Sequence, residues 1–238
     1  MRSNREAATV RNLASLLFAG GLAFLLLVIG AQLALGGPPM RVGAEILDIA
    51  GAEVGAANIV TAILLGYRGF DTLGELSILF AAATAAGLVL GHRRADARRD
   101  PPGGLILRAG ADLLFPLLVV VGLYVIAHGH LTPGGGFQGG VILAAAFFAA
   151  VLADPGRILN HGLIAWIEGL AGASFILIGI WALVEDGTFL APMLSQGVMG
   201  RLLSAGTLPL LSLAVGLKVG AELAGLMAHL SDSEARDQ

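Results

Sequence analysis

Apolar residues fall along this chain in long runs separated by short polar or glycine-rich breaks. Most of the runs approach the roughly 20 residues that a helix needs to cross a bilayer. The first extends from Leu13 to Leu35 and is broken by Gly36, Gly37, Pro38 and Pro39. It is longer than a signal-peptide core, and no Ala-x-Ala site ends it, so it reads as an uncleaved span. The second goes from near Leu73 to near Leu90, and the third from about Gly110 to Ala127, with a bend expected at Pro116. A short fourth covers 139–153, the fifth Leu163 to Val184, and the sixth about Gly206 to Leu230. One further apolar stretch, 56–66, is too short to cross.

Composition agrees with this pattern. Of 238 residues, 56% are hydrophobic and 13% charged, about half the charged share of a soluble domain. The net charge of −3 says little about partners, and no basic patch points to nucleic acid. There is no cysteine, which excludes disulfides and thiolate metal sites. The pattern predicts an all-α, polytopic membrane protein with about six spans plus a short re-entrant or surface helix.

Charge placement orients it. Arg2, Arg5 and Arg11 precede the first span, and His92, Arg93, Arg94, Arg98 and Arg99 follow the second. Positive clusters stay cytoplasmic. An even number of crossings must then lie between them, so 56–66 is expected to be re-entrant or surface-lying on the outer side. A full span from about 45 to 66 is the alternative. Both termini are expected inside, with Arg41, Arg68 and Arg201 outside and Lys218 in the membrane. The Asp100-Pro101-Pro102-Gly103-Gly104 linker is the expected boundary between a two-span region, 1–100, and a four-helix domain, 101–238.

Few residues in such a chain carry chemistry. Lys218 and Glu222 stand four apart inside the sixth span, hence on one helix face. Charge at the bilayer centre costs about 2.5–3.5 kcal/mol, so such groups face protein or water. Two readings stand open, a proton or ion relay and a structural ion pair. Glu168 stands about as deep in the fifth span as Glu222 in the sixth, counted at about 1.5 Å per residue; it can meet Glu222 or snorkel to water. Asp112 with Arg108 has the spacing of a pair at the inner edge. Asp71 and Glu75 open the second span, where Thr72 and Glu75 fit a capping box. If 56–66 dips into the membrane, Glu75 lies at depth and capping is not its whole role.

Between the third and fourth spans runs His128-Gly129-His130-Leu131-Thr132-Pro133-Gly134-Gly135-Gly136-Phe137-Gln138-Gly139-Gly140. Its glycines and proline argue against ordinary helix throughout. His128 and His130 carry imidazoles, which suit proton transfer, but two histidines alone make a poor zinc site. The glycines Gly134, Gly135, Gly136, Gly139 and Gly140 match neither a phosphate loop nor a dinucleotide fingerprint.

These residues also carry a resemblance. Leu114-Phe115-Pro116, Gly122-Leu123-Tyr124, His128-Gly129-His130 and Pro133 through Gly140 resemble the MnhB/MrpB subunit of Mrp-type multisubunit sodium/proton antiporters, over about residues 105–230. Upstream, Asn58 through Leu65 and Tyr67 through Glu75 resemble the MbhE subunit of membrane-bound hydrogenases and the C-terminal part of MrpA, over about 45–91. The Lys218-Val219-Gly220-Ala221-Glu222 pattern is similar to hydrogenase-type and archaeal-type members. The resemblance implies a non-enzymatic, multi-pass cell-membrane subunit that needs no cofactor. Its expected partners are other membrane subunits, the lipid bilayer, and Na+ and H+ as transported ions. It also implies that Glu75 belongs to a polar path. A redox-driven pump such as a hydrogenase, and a purely structural scaffold, are the competing readings.

Overall fold

A computed structural model describes residues 2–32, 41–90, 103–154 and 160–234, with side chains from 16–31, 41–88, 103–154 and 160–227. The Gly36–Pro39 break, the arginine-rich stretch 92–99, the start of the linker at 100–102 and Arg157 lie outside the described residues. So do the side chains of Arg2, Arg5 and Arg11, so the charge-based orientation rests on sequence. All regular elements among the described residues are helices: α1 (Arg2–Gln32), α2 (Arg41–Val54), α3 (Ile59–Thr61, running on as a π-helical turn, Ala62–Tyr67), α4 (Gly69–Leu90), α5 (Leu105–Ala127), α6 (Gly136–Ala153), α7 (His161–Asp186) and α8 (Leu208–Glu234).

The chain divides into two units, 1–44 and 45–238. In the first, α1 exposes every described side chain. In the second, α8 is the hub, packing against α6, α7, α4 and α5. Four helices, α5, α6, α7 and the Leu208–Met227 part of α8, are long and apolar enough to cross a membrane. The pair Arg41–Val54 and Ile59–Tyr67, bent by 96°, makes a fifth if it is one broken span. The stretch 56–66, expected to be re-entrant or surface-lying, is the second arm of this bent pair, which is either one broken span or a re-entrant loop.

Glycine sets how closely the hub is approached. A Cβ on Gly136 would lie 2.5 Å from the Ser212 carbonyl oxygen, and one on Gly140 2.7 Å from that of Gly216. On the other face of α6, a Cβ on Gly139 would lie 2.7 Å from the Gly122 carbonyl on α5. Small residues let membrane helices approach backbone to backbone, which is the main source of packing energy in lipid. This corrects the sequence reading, which argued against ordinary helix in 128–140 and began the fourth span at 139: α6 starts at Gly136. Only Gly134 and Gly135 in that stretch have positive φ, 140° and 139°. From Gly136 onward the glycines are helical, and what they supply is the missing Cβ.

The bend between α2 and α3 is built on hydrogen bonds. Asn58 caps α3, its Oδ1 accepting from the Val60 and Thr61 amides. At the end of the π turn the Arg68 amide reaches back five residues to the Ile63 carbonyl, at 2.8 Å. Thr72 Oγ1 donates to the Leu64 carbonyl, also at 2.8 Å. The capping-box expectation therefore fails for Thr72. Helix α4 begins at Gly69, and the buried Thr72 hydroxyl serves the preceding turn.

Gly140→Val is expected to destabilise the protein in detergent micelles by about 1–3 kcal/mol or more, because a filled Cβ position forces α6 from α8. Gly74→Ala, at a site with nothing within 4 Å, is expected to stay within about 0.5 kcal/mol. Thermal unfolding of the two variants side by side measures this; equal losses would contradict the packing account.

Candidate functional site

Helix α8 carries its charges where it is most enclosed. Lys218 is the eleventh residue of a helix that begins at Leu208. At about 1.5 Å per residue it lies about 15 Å along, half the thickness of a hydrocarbon core. Its side chain is 10% exposed, and that of Glu222, one turn on, 1%. Lys218 Nζ lies 3.3 Å from Glu222 Oε2 and 3.5 Å from Glu168 Oε1 on α7. Glu168 therefore meets the pair across the helix contact. Gly172 makes room: a Cβ there would press on the Lys218 stem, 3.3 Å from Cδ. From α4, the Phe80 ring lies over Lys218 Nζ, 4.9 Å from its centroid.

The stoichiometry matters chemically. Two carboxylates and one ammonium sum to −1 when all are ionised. In a low-dielectric site, neutrality requires one more proton or monovalent cation. The Glu222 carboxylate, inside the fold, makes no hydrogen bond within hydrogen-bonding geometry. Clefts adjoin the trio. One, about 270 Å³, has Lys218 and Glu168 in its wall; another, about 280 Å³, has Glu168 and Glu222.

The other candidates lie elsewhere. Asp71 is half exposed and pairs with Arg68 at 2.6 Å. Glu75 is exposed on α4 and lines neither cleft. Asp112 is exposed on α5. The two histidines part company. His128 stacks on Tyr124, ring centroids 4.0 Å apart, and its Nδ1 lies 3.0 Å from the Tyr124 carbonyl. His130 is fully buried, with Nε2 3.4 Å from the Arg201 carbonyl and no hydrogen-bond partner at Nδ1. Among the described residues no three His, Asp or Glu side chains gather as a metal site.

Three residues escaped the sequence reading as individuals. Asn58 joins the bent pair to the glycine turn: its Nδ2 donates to the carbonyls of Gly129 (2.8 Å) and Thr132 (2.9 Å), and its amide to that of His130 (3.0 Å). Thr61 Oγ1 adds a bond to the Gly129 carbonyl at 2.7 Å. The cap residue Asn after a Gly-Ala-Ala turn was the available signal. Phe80 had none, being one apolar residue among many.

The turn, the glycine-packed α6 and the α8 charges lie within one recognisable stretch. Residues 106–225 match the domain related to the MnhB subunit of Na+/H+ antiporters. This chain belongs to the MnhB family. Ahead of the MnhB domain, residues 13–99 match MbhE, a subunit of MBH. An uncharacterized protein of Methanocaldococcus jannaschii is 30% identical over 71% of this chain and 74% of its own length. A Rhizobium meliloti protein named as an A/B-type subunit of a K(+)/H(+) antiporter is 27% identical over 60% of this chain, which spans only 17% of that protein. A Staphylococcus aureus protein named as antiporter subunit mnhB2 is 36% identical over 37% of this chain and 58% of its own length. Among solved structures, a chain of the membrane-bound sulfane sulfur reductase, an archaeal respiratory membrane complex, superposes with TM-score 0.73 at 34% identity. That match covers 93% of this chain and 98% of the other. A chain of the Mrp complex from Dietzia sp. superposes with TM-score 0.69 at 27% identity, covering 96% of this chain and 26% of that one.

Two outcomes are expected of this MnhB-family site. Lys218→Ala leaves the buried carboxylate of Glu222, and the part-buried one of Glu168, without their cation and should cost about 3 kcal/mol; Lys218→Met combined with Glu222→Gln should recover much of that loss, read as thermal stability. Burial lowers the pKa of His130, against weaker support from the backbone carbonyls of Arg201 and Leu202. Its folded pKa lies below the unfolded value of about 6.5, so its contribution is whole above that value and is lost as the pH falls through it. A melting-temperature profile from pH 8 to 5 should fall less steeply in His130→Gln than in the parent.

Proposed function

We propose that this chain is a multi-pass membrane subunit of a multisubunit cation/proton antiporter complex, and that Lys218, Glu168 and Glu222 are its proton relay. The reading is of a transporter component with no reaction of its own. The observation that carries it is the unequal charge of the trio, one buried ammonium between a buried and a part-buried carboxylate. A purely structural pair is satisfied by one acid, whereas this arrangement wants one further positive charge. Na+ or K+ moved by partner subunits, and H+ handled here, make the coupled exchange. Six spans with both termini cytoplasmic remain our topology, in which 1–100 is the MbhE-like region and 101–238 the MnhB-like one. Asp71, Glu75, Asp112, His128 and His130 line neither cleft beside the trio and would join such a path through further groups. The glycine turn Gly134–Gly136 with Gly139 and Gly140 positions the helices.

A second reading is favoured by one observation. The sulfane sulfur reductase chain matches along almost its full length and at the higher identity. In that case the same trio serves a redox-driven complex, whose iron–sulfur proteins must lie on other subunits because this chain has no cysteine.

In everted vesicles holding the assembled complex, Lys218→Ala and Glu222→Gln should cut cation-dependent proton movement by about 100-fold or more, the scale of a lost proton-transfer group. Full activity in both, with normal assembly, would return the trio to a structural role. Whether iron–sulfur subunits co-purify decides between the two parent complexes.

A further inference from the structure

The two clefts beside the trio follow one another along the groove that α4 and α7 leave over α8. Helix α4 supplies Leu73 to Phe80 to the first, and Phe80 to Leu88 to the second. Helix α8 supplies Lys218 to the first, and Glu222 with Gly225 and Leu226 to the second. The clefts are therefore displaced along the helix axes, with the lysine facing one and its partner acid the other. Two residues belong to both, Phe80 and Glu168. At roughly 30 Å³ per water molecule, each cleft has room for several waters. Two hydroxyls of α4 line them, Thr84 in the second and, in the first, Ser77, which donates to the Leu73 carbonyl and keeps its oxygen free to accept.

Phe80 is an unusual neighbour for this position. Its ring lies within the roughly 6 Å at which a cation is attracted to an aromatic face. It is also half exposed, so it is not locked on every side by packing. Side chains with such freedom change rotamer in picoseconds to nanoseconds.

Resting on the relay reading above, we propose that Phe80 is the gate of the relay, an apolar plug that keeps the two water-filled clefts apart and is latched by the charge on Lys218. While Lys218 is an ammonium, the cation–π contact holds the ring over it and closes the passage. Lys218 then gives a proton to the carboxylate of Glu222, leaving a neutral amine and a neutral carboxylic acid. With the cation gone, the attraction that held the ring is gone as well. The amine takes a proton from water in the first cleft, and the acid releases one to water in the second. One proton enters and one leaves, and both residues return to their starting charge. Glu168, shared by both clefts, keeps a counter-charge beside Lys218 while Glu222 is protonated. Phe80 touches no transported ion in this scheme; it is a positioning residue that acts through Lys218.

The test uses the assembled complex in vesicles and reads proton leak without added Na+ or K+ beside cation-coupled proton movement. Phe80→Ala should raise the leak severalfold and lower coupling, and Phe80→Tyr should keep both near the parent. Phe80→Leu, which fills space but lacks a ring face, should leak more than Phe80→Tyr. If Phe80→Ala does not assemble, the Leu and Tyr variants decide alone, and equal behaviour of the two overturns the gate. A silent Phe80→Ala beside an inactive Glu222→Gln also overturns the gate and leaves the relay standing. If Glu222→Gln and Lys218→Ala are silent too, both fall.

Discussion

An ammonium ion in the middle of an apolar helix must be given its counter-charge by the protein, because lipid offers none. That requirement on Lys218 organises the second half of the chain. Glu222 meets it from the same helix and Glu168 from α7, both within 3.5 Å. Desolvating three charges is unfavourable unless the geometry is good, and removing one member leaves the others exposed to the full penalty. Hence α7 must pack where Glu168 reaches, and Gly172 must leave space for the lysine stem. The face that α4 turns toward α8 brings Phe80 to the same place.

The same solvent also refuses bare backbone, and glycine and asparagine answer that constraint. Where α6 meets α8, the missing Cβ atoms of Gly136 and Gly140 bring the helices to backbone contact. That contact holds α8 between α6 on one side and α7 on the other. Where helices break, each freed carbonyl needs a donor. Asn58 and Thr61 supply donors to Gly129 and Thr132, and Thr72 to Leu64. The broken pair and the glycine turn are thus one hydrogen-bonded structure, though 71 residues separate Asn58 from Gly129.

Much of this was legible in the order of residues. Long apolar runs announce membrane helices because hydrocarbon selects on composition alone, and α5, α7 and α8 fall within a few residues of their expected limits. The Lys218–Glu222 pair follows from helical spacing, and the approach of Glu168 from matched depth. What stayed hidden depends on tertiary contact. Gly136 read as part of a helix-breaking turn, and the packing role of Gly139 and Gly140 went unseen, because the carbonyls they pack against lie on other helices. Thr72 reads as a cap because its true partner lies in a π turn that periodicity does not foretell. Phe80 became distinct only when α4 brought it over a charge. His128 and His130, one residue apart, proved to have unlike surroundings because a loop near Arg201 covers only the second.

The outward faces carry the last step. Only 17% of the apolar windows of α5 and of α7 is buried within the chain, and Ile106, Val184 and Trp166 stand largely exposed. Lipid accepts such surfaces, so they do not by themselves demand a partner. Glu75 differs. It is exposed six residues into α4, on the helix side where Asp71 and Ile78 are exposed. Acyl chains solvate a carboxylate badly, and the same holds on the open side of the groove where Glu168 stands. In the complex proposed above, a neighbouring subunit against the α4 side would bring polar groups or water to each acid. On that argument the polar features of the chain are halves of sites, which is the physical mark of one component in a larger assembly and not of a transporter working alone.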